Sequence, residues 1–258
     1  MGITSKEAIR FTNTRGQKLA GVLHWPADAV RGWVLYAPCF TCSKDIPLAL
    51  RMADALAKRG YAVLRFDPTG LGESEGRFEQ TDFESEIDDI LRAQAWLKGM
   101  HAAPQLLIGH SLGGAAMLEA ASRLPETRAV VTLGTPASLI PLAEWLQRTA
   151  EQQTPQGRFE LELGGQTITL SSEYIDSLRR HDLRAAISRL RQAVLILHAP
   201  EDDVVPYADA LTLFAAAKEP RGFASLDGAD HLLRHQRDVE YCAQLIAAWA
   251  LRPLGLPS

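Results

Sequence analysis

The chain has 258 residues, 47% of them hydrophobic and 22% charged, with a formal net charge of -4 at pH 7. That length supports one large domain with a substantial core, so neither disulfide nor metal staples are required. The mild acidity excludes the basic footprint of a nucleic-acid binder, and no stretch approaches the roughly eighteen uninterrupted apolar residues of a membrane span.

Met1 to Glu7 lacks the apolar core of a signal peptide, and Lys6 stands where a myristoylation pattern requires Ser or Thr. The cytoplasm is therefore the expected compartment. The odd trio Cys39, Cys42 and Cys242 does not make a disulfide framework, and all three are expected to stay reduced.

Short apolar runs alternate with helical patterns. Strands are predicted at Ala8 to Thr12, Leu19 to Trp25, Trp33 to Ala37, Tyr61 to Phe66, Gln105 to Ile108, Ala129 to Leu133, Ala193 to His198 and Gly222 to Leu226. Helical periodicity marks Pro47 to Lys58, Phe83 to Leu97, Leu112 to Leu124, Tyr207 to Ala217 and Asp238 to Leu251. Strand-helix alternation specifies a mostly parallel eight-stranded sheet with helices on both faces, its first two strands pairing antiparallel at one edge.

Residues 137–192 interrupt this rhythm and are too many for a structureless loop. Phe159 to Leu163 and Gln166 to Leu170 alternate around Gly164-Gly165, which predicts a β-hairpin. Helices are expected at Leu139 to Ala150 and Ser172 to Leu190. The segment reads as a small cap (137–192) inserted into a core made of 1–136 and 193–258, over the strand ends where open α/β sheets place ligands.

Gly109-His110-Ser111-Leu112-Gly113 fits G-x-S-x-G, placed between a strand and a helix. That pattern holds a serine on a sharp, strained turn with its hydroxyl exposed. Serine is a weak nucleophile at neutral pH and needs a base oriented by an acid. The seventh strand is followed by Glu201-Asp202-Asp203, and the eighth by Asp227-Gly228-Ala229-Asp230-His231. His231 is the expected base, with Asp202 or Asp203 as the acid. His110 and His198 are assigned to packing, while His101, His181 and His235 carry no partner signal. Asp227 and Asp230 suit turn formation.

An oxyanion hole requires two donors. Leu112 N–H supplies one, and Phe40 N–H, in the loop after the third strand, is nominated as the other, since Pro38 has no N–H to give. Cys39-Phe40-Thr41-Cys42 is formally a C-x-x-C thiol pair, against which stands plain packing of small side chains. Gly70-Leu71-Gly72-Glu73-Ser74-Glu75-Gly76 misses the dinucleotide spacing, so Asp67-Pro68-Thr69-Gly70 is read as a structural turn and no cofactor or metal is expected.

With these residues in place, the chain resembles the α/β-hydrolase superfamily from about Trp33 to Leu251. Phe40 to Asp45, Leu64 to Gly72 and Ser225 to Leu233 further resemble the hydrolase module that often precedes an OsmC-like peroxide-reductase domain, although a chain ending at Ser258 leaves no room for one. The resemblance implies an α/β-hydrolase fold and places the acid four residues before the proline of a Val-Pro pair, which selects Asp202. Pro38-Cys39 departs from the His-Gly common in the superfamily. The expected activity is that of a serine hydrolase, specifically a carboxylesterase for small to medium acyl esters, with Ser111, Asp202 and His231 as triad. The same triad also serves thioester cleavage, acyl transfer or peptide hydrolysis. A serine at 111 disfavours the carboxylate-attack dehalogenases and epoxide hydrolases, and a thiol-redox or ligand-binding protein on the same scaffold is the remaining alternative. Trp145 and Leu146 are candidates for an apolar acyl wall. The expected partner is a small ester, and the sequence is silent on oligomeric state.

Overall fold

The computed structural model describes residues 4–150, 157–163 and 166–257. Its strands are β1 (Ser5–Thr12), β2 (Lys18–Trp25), β3 (Gly32–Ala37), β4 (Tyr61–Phe66), β5 (Leu106–His110), β6 (Ala129–Leu133), β7 (Arg158–Leu163), β8 (Gln166–Ser171), β9 (Ala193–His198) and β10 (Arg221–Ser225). Eight of them form one sheet in the order β1-β2-β4-β3-β5-β6-β9-β10, while β7 and β8 pair antiparallel by themselves. β1 pairs antiparallel with β2 and β2 with β4, and every other junction is parallel.

Helices α1 (Pro47–Ala57), α2 (Phe83–Met100), α3 (Leu112–Ala121), α4 (Ile140–Ala150), α5 (Ser172–Arg179), α6 (Leu183–Arg189), α7 (Tyr207–Ala216) and α8 (Gln236–Leu254) complete the chain. The period-two alternation of the central strands sorts their side chains into two cores. Leu35, Leu64, Leu107, Val130 and Ile196 face the α2–α3 side, whereas Val34, Val63, Ile108, Val131 and Leu197 face α1 and α8. Both faces are covered, which is why these strands read as nearly continuous apolar runs.

The expected architecture is present, with local differences. β1 begins at Ser5 because pairing with β2 continues to Ser5↔Trp25. β5 runs on to His110, since Gly109 and His110 pair with Thr132 and Leu133 of β6. The single helix expected over Ser172 to Leu190 is two, α5 and α6. Asp182 ends the continuity because its carboxylate caps α6, accepting from Ala185 N at 3.0 Å. The expected Gly164-Gly165 turn lies outside the described residues.

Between β6 and β9, α4 packs on α5, α5 reaches α2, and β8 lies against a short 3-10 turn at Phe78–Gln80. Leu146, Phe159, Leu170 and Tyr174 from this stretch join the α2–α3 core. Among the described residues no helix is long and apolar enough to cross a membrane.

Candidate active site

Ser111 sits between β5 and α3 with φ 53° and ψ -121°. A non-glycine residue is strained there, as the elbow pattern requires. The glycines around it permit close approach that no side chain could share. A Cβ on Gly109 would lie 2.4 Å from Gly113 O, and one on Gly113 would lie 2.1 Å from Pro38 O. The elbow is thus pressed against the loop that leaves β3. Leu112 opens α3, so its N–H has no carbonyl one turn back and is free to face a ligand oxygen.

The carboxylate of Asp202 is the hub of the opposite wall. Oδ1 accepts from Val204 N at 2.9 Å and Val205 N at 2.8 Å, and Oδ2 lies 2.7 Å from His231 Nδ1. Burial alone would raise this carboxyl. The hydrogen bond from His231 and the two loop amides outweigh it and hold the group below its usual range. A carboxylate only accepts, so Nδ1 of His231 carries the proton that faces Asp202 and Nε2 is the nitrogen turned away from it. Asp203 is exposed, and Glu201 bonds elsewhere, accepting from Gly228 N at 3.1 Å. Of the two neighbouring aspartates, Asp202 is the one that lies against His231.

Ser111 is bracketed by residues that touch His231. On one side, His110 Nε2 lies 2.8 Å from His231 O, with ring centroids 4.9 Å apart. On the other, Ser111 N donates to Leu133 O at 2.8 Å, and a Cβ on the next residue, Gly134, would stand 3.2 Å from both His231 Nδ1 and Asp202 Oδ2. His231 is buried and Ser111 half-buried at this junction.

Phe40 lies in the loop that Gly113 abuts. Its ring packs on Phe78 and on Tyr174, centroids 6.3 and 5.7 Å away, so α5 meets the core at the loop of the nominated oxyanion donor. Leu146 is buried and Trp145 is 38% exposed, which leaves the indole accessible on α4.

One expectation is overturned in this loop. Cys39 and Cys42 are joined by a disulfide rather than reduced, and Cys242 remains free and buried. Thr41 takes φ 58° and Cys42 N bonds Cys39 O at 3.0 Å, a turn that brings the two cysteines to a Cα separation of 5.1 Å. An odd count argues against a framework, but it says nothing about a local pair.

Other histidines do more than the sequence indicated. His198 Nε2 is 2.9 Å from Val205 O and 3.4 Å from Asp202 Oδ2, behind the acid. His181, between α5 and α6, contacts Glu119 of α3 at 3.1 Å and Glu84 of α2 at 3.2 Å, and His101 stacks on Trp33. Asp227 and Asp230 serve their own turns, with Asp230 accepting from Arg234 N at 3.0 Å. Among the described residues no three His, Cys, Asp or Glu side chains gather as a metal-holding group.

Similarity to known proteins agrees with this geometry at the level of the family. Residues 32–167, more than half the chain, match the family model described as the alpha/beta hydrolase fold. The chain belongs to the α/β-hydrolase family and is an enzyme of the hydrolase class. It is similar to the esterase domain of a Rhodothermus marinus protein, at 36% identity and TM-score 0.78 over 96% of this chain and 98% of that one. Est1E of Butyrivibrio proteoclasticus, solved with ferulic acid, shares the fold at TM-score 0.81 and 20% identity, covering 96% of this chain and 100% of that one. A third relative is the mitochondrial palmitoyl-protein thioesterase ABHD10 of Pongo abelii, 25% identical over 185 residues, or 67% of this chain. This chain spans 58% of that relative's length.

Proposed function

We propose that the protein is a serine carboxylesterase acting on small to medium acyl esters, with Ser111 as nucleophile, His231 as base and Asp202 as orienting acid. The observation that carries this reading is the Asp202–His231 contact of 2.7 Å, tied through His110 to a serine in the strained elbow conformation. Asp202 fixes the proton on Nδ1, so Nε2 is the nitrogen that takes the serine proton as Oγ attacks the ester carbonyl. The carbonyl oxygen becomes an oxyanion bound by the N–H groups of Leu112 and Phe40. Collapse expels the alcohol, which receives the proton from His231, and leaves an acyl-enzyme. Water repeats the sequence, releasing the carboxylic acid and restoring Ser111.

Residues 137–192 act in this reading as a cap whose α4 offers Trp145 to the acyl chain, whereas Leu146, expected beside it, is fully buried in the core and faces no substrate. The finer resemblance to the module preceding OsmC-like domains is carried by residues 40–45, 64–72 and 225–233 alone. The Cys39–Cys42 disulfide suits an oxidising compartment better than the cytoplasm expected from the sequence.

Turnover of p-nitrophenyl acetate and butyrate by the wild type and by Ser111→Ala tests the reading. Turnover in the wild type and its loss in a folded variant support it, and undiminished turnover in the variant overturns it. A thioester reading on the same triad is favoured by one observation, the name of the ABHD10 relative. Palmitoyl-thioester cleavage much faster than butyrate ester cleavage would select it.

A further inference from the structure

Lys44 stands four residues beyond Phe40 and is buried. Both of its peptide groups are held by charged side chains on, or just beyond the end of, the next strand. Its N–H donates to Asp67 Oδ1 at 2.5 Å, and its carbonyl accepts from Arg65 Nη1 at 2.6 Å. Its ammonium also reaches Asp67 Oδ2 at 3.0 Å.

Asp67 is wholly buried just beyond the end of β4, and Arg65 is 3% exposed on β4. Neither is free to move. Asp67 N bonds Ala20 O at 2.9 Å, its carbonyl accepts from Ser74 Oγ at 2.7 Å, and Oδ2 also accepts from Glu73 N at 2.9 Å. Arg65 Nε donates to His24 Nε2 at 2.8 Å, and Nη1 also contacts Asp45 Oδ1 at 2.7 Å. Gly72 leaves room for the carboxylate, since a Cβ there would fall 2.3 Å from Asp67 Oδ2.

Buried charges are costly unless fully partnered, and a simpler apolar plug would fill the same space. What this set does that an apolar plug would not is fix the orientation of the two peptide units flanking Lys44 in the loop between β3 and α1. That loop carries the N–H nominated as second oxyanion donor, and it departs from the superfamily's usual residues at Pro38-Cys39.

We infer that Asp67 and Arg65 are positioning residues for the oxyanion hole, clamping Lys44 so that Phe40 N–H points at the reacting oxygen. The inference rests on the esterase reading. Neither residue touches substrate. Their contribution is geometric, and displacement of a preorganised donor by about 1 Å costs on the order of 100-fold in rate.

The test measures kcat and KM for p-nitrophenyl butyrate, together with the Ki of a trifluoromethyl ketone, in wild type, Asp67→Asn, Asp67→Ala and Gly72→Ala. The ketone forms a hemiketal oxyanion on an activated serine and so reports the hole, whereas a general loss of structure does not sort kcat from KM. Expected is a graded fall in kcat, about 10-fold for Asp67→Asn and about 100-fold for Asp67→Ala, with KM within about twofold and Ki rising in proportion. Gly72→Ala moves the carboxylate without deleting it and is expected to fall between the two, which decides the matter if Asp67→Ala does not fold. Unchanged kcat and Ki in the folded variants overturn the inference while leaving the esterase reading intact. Persistent turnover in Ser111→Ala overturns that reading instead.

Discussion

The ring of His110 grips the main chain of His231, its Nε2 lying 2.8 Å from the carbonyl oxygen. A carbonyl only accepts, so Nε2 carries a proton, and Nδ1, buried without a partner among the described residues, leaves the ring neutral. Burial, with the neighbouring His231 adding to it, pushes His110 down to about 3. Because His110 directly precedes Ser111, one imidazole ties the elbow to the loop of the proposed base. His110→Leu removes that donor and leaves a buried carbonyl unpaired, which costs about 1–3 kcal/mol. Urea denaturation is expected to show this loss, and kcat to fall with it.

The same residue sets a pH dependence. Its folded pKa lies below the unfolded value of about 6.5, so unfolding takes up a proton at this site between pH 6.5 and 3. Stability from this group is therefore complete above pH 6.5 and lost as the pH falls toward 3, with a slope approaching about 1.4 kcal/mol per pH unit. Relative to wild type, the deficit of His110→Leu is expected to be largest at neutral pH and to shrink on acidification. A deficit that grows in acid would contradict the neutral assignment.

Adjacent aspartates should behave differently. Asp202→Asn keeps the shape but offers His231 an amide, which can select the wrong tautomer, and losses of about 10,000-fold in kcat attend that change in the serine-protease triad. Asp203 is exposed, and Asp203→Asn is expected to stay within about twofold of wild type, surface changes away from the site being nearly neutral. Steady-state kinetics on the pair decides the assignment.

Of the three cysteines in the chain, two form a disulfide and one is buried and free. Thiol titration under denaturing, non-reducing conditions should find one reactive group per chain, and three after reduction. Three without reductant would restore the reduced state that the sequence suggested.

The strands were legible because both-face burial writes itself as apolar runs, and the strained turn at Ser111 because the elbow demands Gly109 and Gly113 for contacts a Cβ would break. The meeting of His231 with the Asp202 loop was legible from its place after the last strand. Other features were not legible for physical reasons. Residue chemistry did not separate Asp202 from Asp203, the resemblance alone chose Asp202, and loop curvature is what turns that one inward. The local Cys39–Cys42 pair depends on Thr41 adopting a positive φ, which no pattern of threonine announces. Asp67 looked like a turn residue because its partners, Lys44 and Glu73, are distant in sequence or lie in an irregular loop. The break between α5 and α6 turned on a single capping aspartate within a stretch that still reads as helical.

The central claim is that Ser111 Oγ attacks and is acylated. Mass spectrometry of the protein after treatment with a fluorophosphonate locates the reacting atom directly. One adduct per chain is expected, on the peptide containing Ser111, absent in Ser111→Ala and strongly slowed in His231→Ala. A stoichiometric adduct on another residue, with Ser111 unmodified in an active preparation, would contradict it.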